Sequence, residues 1–380
     1  MAPIDLSSPA SPVTQTPRDT TQVLKTGIGL CLSGGGYRAM LFHVGSIWRL
    51  QELNYLSKLD RISSVSGGSI TAGVLALRWK NLANEFPSFV SDIRRMASKT
   101  IDVGSVLEGV LGPGNVAQKI QEGYDKELFH GATLQDLPDD PPRFVFNATS
   151  VQSGVLWRFS KPFMADYRVG LVNSPKIPLA AVVAASSAFP PILSPAQLDL
   201  RKYGCVFEPK SGFDLQQEPY ISKAILTDGG VYDNMGLETV WKQYQTVLIS
   251  DGGGHIEPEP DPHHDFARHA YRVEDITDNQ VRSLRKRQVI DAFTKHQRTG
   301  TYWGIRTDIT NYHVATPLNC PFDKTLALAR IATRLKALAD VQQEQLINWG
   351  YAVCDAAMRR HVDPSLPLPT TFPYPAAGVG

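Results

Sequence analysis

The chain has 380 residues, 42% of them hydrophobic and 20% charged, with a formal net charge of +1. That balance offers a polyanionic partner such as nucleic acid no general attraction, and it suits a globular chain able to bury a sizeable core. Four cysteines, Cys31, Cys205, Cys320 and Cys354, lie far apart with no CxxC pair, which argues against a zinc site or disulfide framework and for reduced thiols in a cytoplasmic protein.

Residues 1–24 are rich in Ser, Thr and Pro, with no basic start leading into an apolar run. They are expected to form a disordered tail rather than a secretory leader. From 27 to 32 a short apolar run predicts a strand buried on both faces, and a glycine turn follows. Met40, Leu41, Val44, Ile47, Trp48 and Leu50 then recur near helical spacing. The unit repeats: "LDRISSV" reads as a strand, "SGGS" as a turn and "ITAGVLALRWK" as a helix. Two strand–turn–helix units in succession predict a parallel sheet with helices on its faces.

Further along, a helix is expected after Pro87, strands over 142–150 and 154–160, and a buried helix stopped by Pro190. The segment 103–116 is apolar and glycine-punctuated, readable as a mobile cap or as a core helix broken at Gly112-Pro113-Gly114. The uncharged stretch 177–198 is long enough to span a bilayer, but Pro178, Pro190, Pro191 and Pro195 would leave backbone groups unpaired in lipid. "KAILTDGG" predicts a strand and turn before a helix to about Gln243, and "YQTVLISDGG" another strand and turn. A long exposed helix over 265–293, a strand over 300–309 and two helices to about Arg360 complete one domain, 25–362. Residues 363–380 are proline-rich and aperiodic.

Three turns could carry chemistry. "SGGGYRA", 33–39, presents successive backbone N–H groups at the positive end of a helix, able to hold a phosphate or the oxyanion of acyl transfer. It lacks GK[ST] and is not GxGxxG. Arg38 adds a cation where the helix dipole disfavours one, which points to function. Ser64-Val65-Ser66-Gly67-Gly68 approximates the G-x-S-x-G elbow, with Ser64 in place of the first glycine and Ser66 at the centre. Asp228 and Asp251 each end a strand before Gly-Gly, and each could be a general base or a turn former. His255, close behind Asp251, would complete a Ser–Asp–His order. A non-catalytic phosphate- or nucleotide-binding module is the reading from another class.

Taken together, Gly34-Gly35-Gly36-Tyr37-Arg38-Ala39, the Ser66 elbow and Asp228-Gly229-Gly230 resemble the patatin-like phospholipase family. The resemblance implies a three-layer α/β/α sandwich with a mostly parallel central sheet. It also implies a Ser66–Asp228 dyad without histidine, and an oxyanion hole from Gly34, Gly35 and Gly36 joined by Gly67. Acyl esters of phospholipids or other lipids would be hydrolysed without metal or organic cofactor. The family's Asn-containing helix entry, matched by "DGGVYDNMG", selects Asp228 over Asp251. Arg38 would steady the loop or neutralise a lipid phosphate. A lipid substrate further implies peripheral contact with membranes, where the basic run 282–288 could meet anionic head groups.

Overall fold

A computed structural model describes residues 23–101, 113–254 and 256–380. The expected tail, except for Val23 and Leu24, His255, and residues 103–112 of the apolar segment lie outside the described residues. Strand β1 (Lys25–Leu32) leads through the glycine turn into α1 (Gly36–Glu52). Strand β2 (Leu59–Ser64) leads through the serine turn into α2 (Gly67–Arg78), and α3 (Leu82–Ala97) follows. Alternation along β1 divides the core: Leu30 and Leu32 face the larger hydrophobic cluster, while Cys31 faces a smaller one on the opposite side. The sheet is therefore covered on both faces, as the sequence predicts.

Helix α4 (Pro113–Tyr124) precedes β3 (Arg143–Ser150), with proline at its first position, where the missing N–H costs nothing. Strands β4 (Leu156–Phe159), β5 (Phe163–Asp166) and β6 (Gly170–Asn173) come next, then α5 (Leu179–Ser186), β7 (Ala196–Asp199) and β8 (Lys223–Asp228). Two one-turn helices, α6 (Gly230–Asp233) and α7 (Glu238–Trp241), stand where the sequence suggests one continuous helix. Strand β9 (Tyr244–Asp251), α8 (Phe266–Thr294), β10 (Thr299–Gly304), α9 (Phe322–Ala329) and α10 (Asp340–His361) complete the order.

The ten-stranded sheet has a parallel centre, β10-β9-β1-β2-β3, continued by antiparallel β4-β5-β6. Helix α1 lies between this centre and α10. The two helices cross backbone to backbone: a Cβ at Gly45 would sit 1.8 Å from the Ile347 carbonyl oxygen, and one at Gly350 1.9 Å from that of Phe42. The C-terminal residues are aperiodic yet packed, Tyr374 stacking edge-on against Trp48 and hydrogen-bonding Asn348.

Two features of this topology place the site. The sheet grows from β1 in both directions, so its crevice opens beyond the C-terminal ends of β1 and β2. Strand β3 overshoots β2, and β8 descends antiparallel onto the overshoot, pairing Asp228 with Ala148. Asp228 thus reaches the same edge from above, on an antiparallel strand.

Candidate active site

Ser66 has φ 52° and ψ −119°, a conformation that side chains rarely adopt. The glycines around it explain how it is held. A Cβ at Gly67 would lie 2.2 Å from the Gly36 carbonyl oxygen, and one at Gly68 2.4 Å from that of Leu32. The elbow and the glycine loop are therefore packed backbone on backbone, and only glycine fits between them. Ser64, standing where the motif has glycine, is fully buried and accepts a hydrogen bond from Ser69 Oγ at 3.0 Å. The Ser66 N–H donates to Ser186 Oγ at 3.1 Å, and Ser186 Oγ donates to the Asn147 carbonyl at 2.7 Å.

Asp228 is 2% exposed. Its Oδ1 accepts from the Gly230 N–H at 2.7 Å, and its own carbonyl accepts from Thr149 Oγ1 at 2.8 Å. Burial pushes the carboxyl up to about 7, against the pull of the Gly230 N–H and of the Ser66 hydroxyl. The approach to Ser66 is open: Oδ2 accepts no hydrogen bond of regular geometry among the described residues.

The loop amides divide differently from expectation. Gly34 N–H donates to the Asn234 carbonyl at 2.9 Å and is not available as an oxyanion donor. Its role is steric, since a Cβ there would meet Asn234 Oδ1 at 2.4 Å and the Ser66 Cβ at 3.2 Å. The N–H groups of Gly35, Gly36 and Gly67 donate to no group among the described residues. Gly35 and Gly36 hold positive φ of 143° and 60°, which turns the loop around Ser66.

Arg38 is buried behind this loop rather than facing the pocket. Nε donates to the Gly252 carbonyl at 3.2 Å, Nη2 to Thr333 Oγ1 at 2.9 Å, and Nη1 to the Ile331 carbonyl. Of its two expected roles, these bonds fit the brace, and Arg38 is not among the residues that line either cavity at Ser66. His43 is a second brace, which sequence reasoning passed over: Nε2 donates to the Ser33 carbonyl and Nδ1 accepts from Ser250 Oγ. Burial pushes it down to about 4, so it stays neutral.

Asp251, the rival acid, is saturated. It accepts from Tyr302 Oη at 2.7 Å and from the Gly253 N–H at 2.9 Å, and pairs with Arg282 at 3.3 Å. Despite burial, those partners hold its carboxyl down to about 2.

Two cavities meet at Ser66. One, of about 600 Å³, is apolar and walled by Phe189, Pro190, Pro191, Ile192, Leu193 and Leu335. The other, of about 250 Å³, is polar and contains Asp228, Asn234 and residues of α8. No group of three or more His, Cys, Asp or Glu suited to a metal ion occurs among the described residues.

Residues 30–241 match the family model described as patatin-like phospholipase. The chain belongs to the patatin-like phospholipase family. A search of the curated proteins returns no match. Among solved structures, this patatin-like chain is similar to human GIVD cytosolic phospholipase A2 in complex with methyl gamma-linolenyl fluorophosphonate, with a TM-score of 0.51 and 12% identity. That match covers 87% of this chain and 57% of the human one. A second structure of the human enzyme gives a TM-score of 0.40 at 12% identity, covering 62% and 49% of the two chains. VipD from Legionella pneumophila gives 0.33 at 16% identity, covering 85% and 67%. This chain thus spans about half the length of the human enzyme, and at such identity the first likeness speaks to the fold alone.

Proposed function

We propose that this protein is a lipid acyl hydrolase acting through a Ser66–Asp228 dyad. The observation that carries the reading is the position of Ser66, strained into an elbow where an apolar and a polar cavity join, with a partly orphaned carboxylate beside it. The acyl chain enters the apolar cavity and the alcohol portion lies in the polar one. Asp228 accepts the Ser66 proton as Oγ attacks the ester carbonyl. The N–H groups of Gly35, Gly36 and Gly67 receive the oxyanion, and their fixed positions supply much of the acceleration. The proton on Asp228 then goes to the departing alcohol. In the second half, Asp228 takes a proton from water as it attacks the acyl-enzyme, then returns that proton to Ser66 Oγ as the fatty acid leaves. These residues complete the cycle with no metal or organic cofactor.

Contact with membranes is part of the proposal. No helix among the described residues is long and apolar enough to cross a bilayer. The N-terminal part of helix α8, however, puts apolar residues outside: Phe266, Val273, Ile276 and Leu284 are exposed, Phe266 at 90%, while Asp275, Asp278 and Arg282 face the polar cavity. Phe189 and Ile192, at the wall of the acyl cavity, are exposed as well. An outward apolar face beside the mouth of an acyl site suits a bilayer surface. The basic run 282–288 contributes less than its composition suggests. Arg282 pairs with Asp251, Arg285 with Glu238, and Lys286 sits over the Tyr302 ring.

The test is fatty-acid release from long- and short-chain esters of one alcohol. The wild type is expected to release acid from both and to favour the long chain, while Ser66→Ala releases none. Full turnover by Ser66→Ala would remove the proposal.

A further inference from the structure

The polar cavity beside Ser66 is closed on its outer side by the inward face of α8, which contributes Tyr271, Asp275, Asp278, Asn279 and Arg282. A solvated helix would turn these groups to water; here they face a cavity, while the C-terminal part of α8 packs Val289 and Phe293 into the core. Neither Asp275 nor Asp278 makes a hydrogen bond or ion pair among the described residues, and burial pushes both carboxyls up. A second observation marks the same space as a ligand site. Asp228, 2% exposed, lines it, and apart from the nearby Ser66 hydroxyl its Oδ2 has no hydrogen-bond partner among the described residues. The volume, about 250 Å³, is several times a water's share of roughly 30 Å³.

We propose that this cavity receives the alcohol portion of the ester as a neutral, hydroxyl-bearing group such as glycerol or a sugar, and that Asp275 and Asp278 exclude alcohols carrying phosphate. The inference rests on the acyl hydrolase reading above and names its substrate class. The lining mixes pure acceptors, the Asp275 and Asp278 carboxylates, with groups that both donate and accept, Asn279 and the Tyr271 hydroxyl. A hydroxyl both donates and accepts, so it satisfies both sets. A phosphate only accepts and meets two carboxylates in a partly desolvated space, where like charges repel more strongly than in water. Among the described residues the cation of this wall is Arg282, whose charge is opposed by both Asp251 and Asp278, although its Nε donates to no group. Arg268 and Arg334 line the acyl cavity instead.

The experiment compares kcat/KM for monoacylglycerol, lysophosphatidylcholine and lysophosphatidic acid with one acyl chain, each presented as monomers. It uses the wild type, Asp275→Asn/Asp278→Asn and the single Asp278→Asn, which stands in should the double variant not fold. The wild type is expected to favour monoacylglycerol at least about tenfold over both phosphate lipids. The double variant is expected to cut the preference over lysophosphatidic acid about tenfold, mainly through a lower KM for that lipid. Equal turnover of either phosphate lipid by the wild type overturns the inference, as does a preference that survives the substitutions. If Ser66 takes a fluorophosphonate label while the lipids are cleaved alike, the substrate class alone fails. If no lipid is cleaved and Ser66 takes no label, the hydrolase reading fails with it.

Discussion

Two strand ends in this molecule carry the same Asp-Gly-Gly sequence and have opposite electrostatics. At the end of β9, Asp251 is surrounded by a guanidinium, a phenol and an amide, which hold its carboxyl down to about 2. At the end of β8, Asp228 has one amide on one oxygen, and burial lifts it to about 7. A carboxylate that has spent its lone pairs on structure is a poor proton acceptor; one left half satisfied beside a hydroxyl is poised to take a proton. The difference lies in what packs around the two turns, not in the turns themselves.

The largest expected effect comes from exchanging their fates. Asp228→Asn should lower kcat for ester hydrolysis by at least about 10³-fold, while Asp251→Asn should keep it within about tenfold of wild type. Equal losses would erase the distinction between the two turns. His255→Ala should likewise leave turnover near wild type in the same assay. Next in size, Gly67→Ala should cost about 10²-fold or more, because its Cβ would strike the Gly36 carbonyl and displace an oxyanion donor.

Stability should move the other way. Asp251→Asn breaks a buried ion pair and should destabilise by about 2–4 kcal/mol in denaturant unfolding at pH 7. Asp228→Asn should stabilise, by at most about 4 kcal/mol at pH 8, since wild type there pays to bury a charge. The pH dependences follow. The folded state holds a proton on Asp228 that the unfolded chain has lost between about pH 4 and 7, so this group erodes stability as pH rises across that window. Asp251, depressed when folded, contributes stability above about pH 4 that is lost as pH falls toward 2. The smallest effect sharpens the comparison: kcat/KM should climb as pH rises through about 7, tracking the carboxylate form of Asp228. A pH profile flat from 6 to 8 would mean that the base titrates elsewhere.

Much of this was legible in the residues. The paired strand–turn–helix units predict the parallel centre, because period and glycine turns are local signals. The elbow serine and the glycine loop are legible for the same reason. The short strands β5, β6 and β7 are not: β4 is as short, but the alternating aromatics Trp157 and Phe159 mark it, and the other three have no such pair. The antiparallel arrival of Asp228 is invisible too, because it depends on β3 overshooting β2, a long-range register. The commitment of Gly34 N–H to Asn234 joins residues two hundred positions apart and leaves no local trace. The long exposed helix α8 is legible as such, but the turning of Asp275, Asp278 and Arg282 toward a cavity is not, because in sequence they look like any solvated surface.

The most direct measurement is the rate at which an alkyl fluorophosphonate forms a covalent adduct, mapped by peptide mass spectrometry in wild type, Asp228→Asn and Asp251→Asn. The account predicts an adduct on Ser66, slowed at least about 10²-fold by the change at 228 and little altered by the change at 251. An adduct on another residue, or a Ser66 adduct whose rate depends on 251 and not on 228, would contradict it.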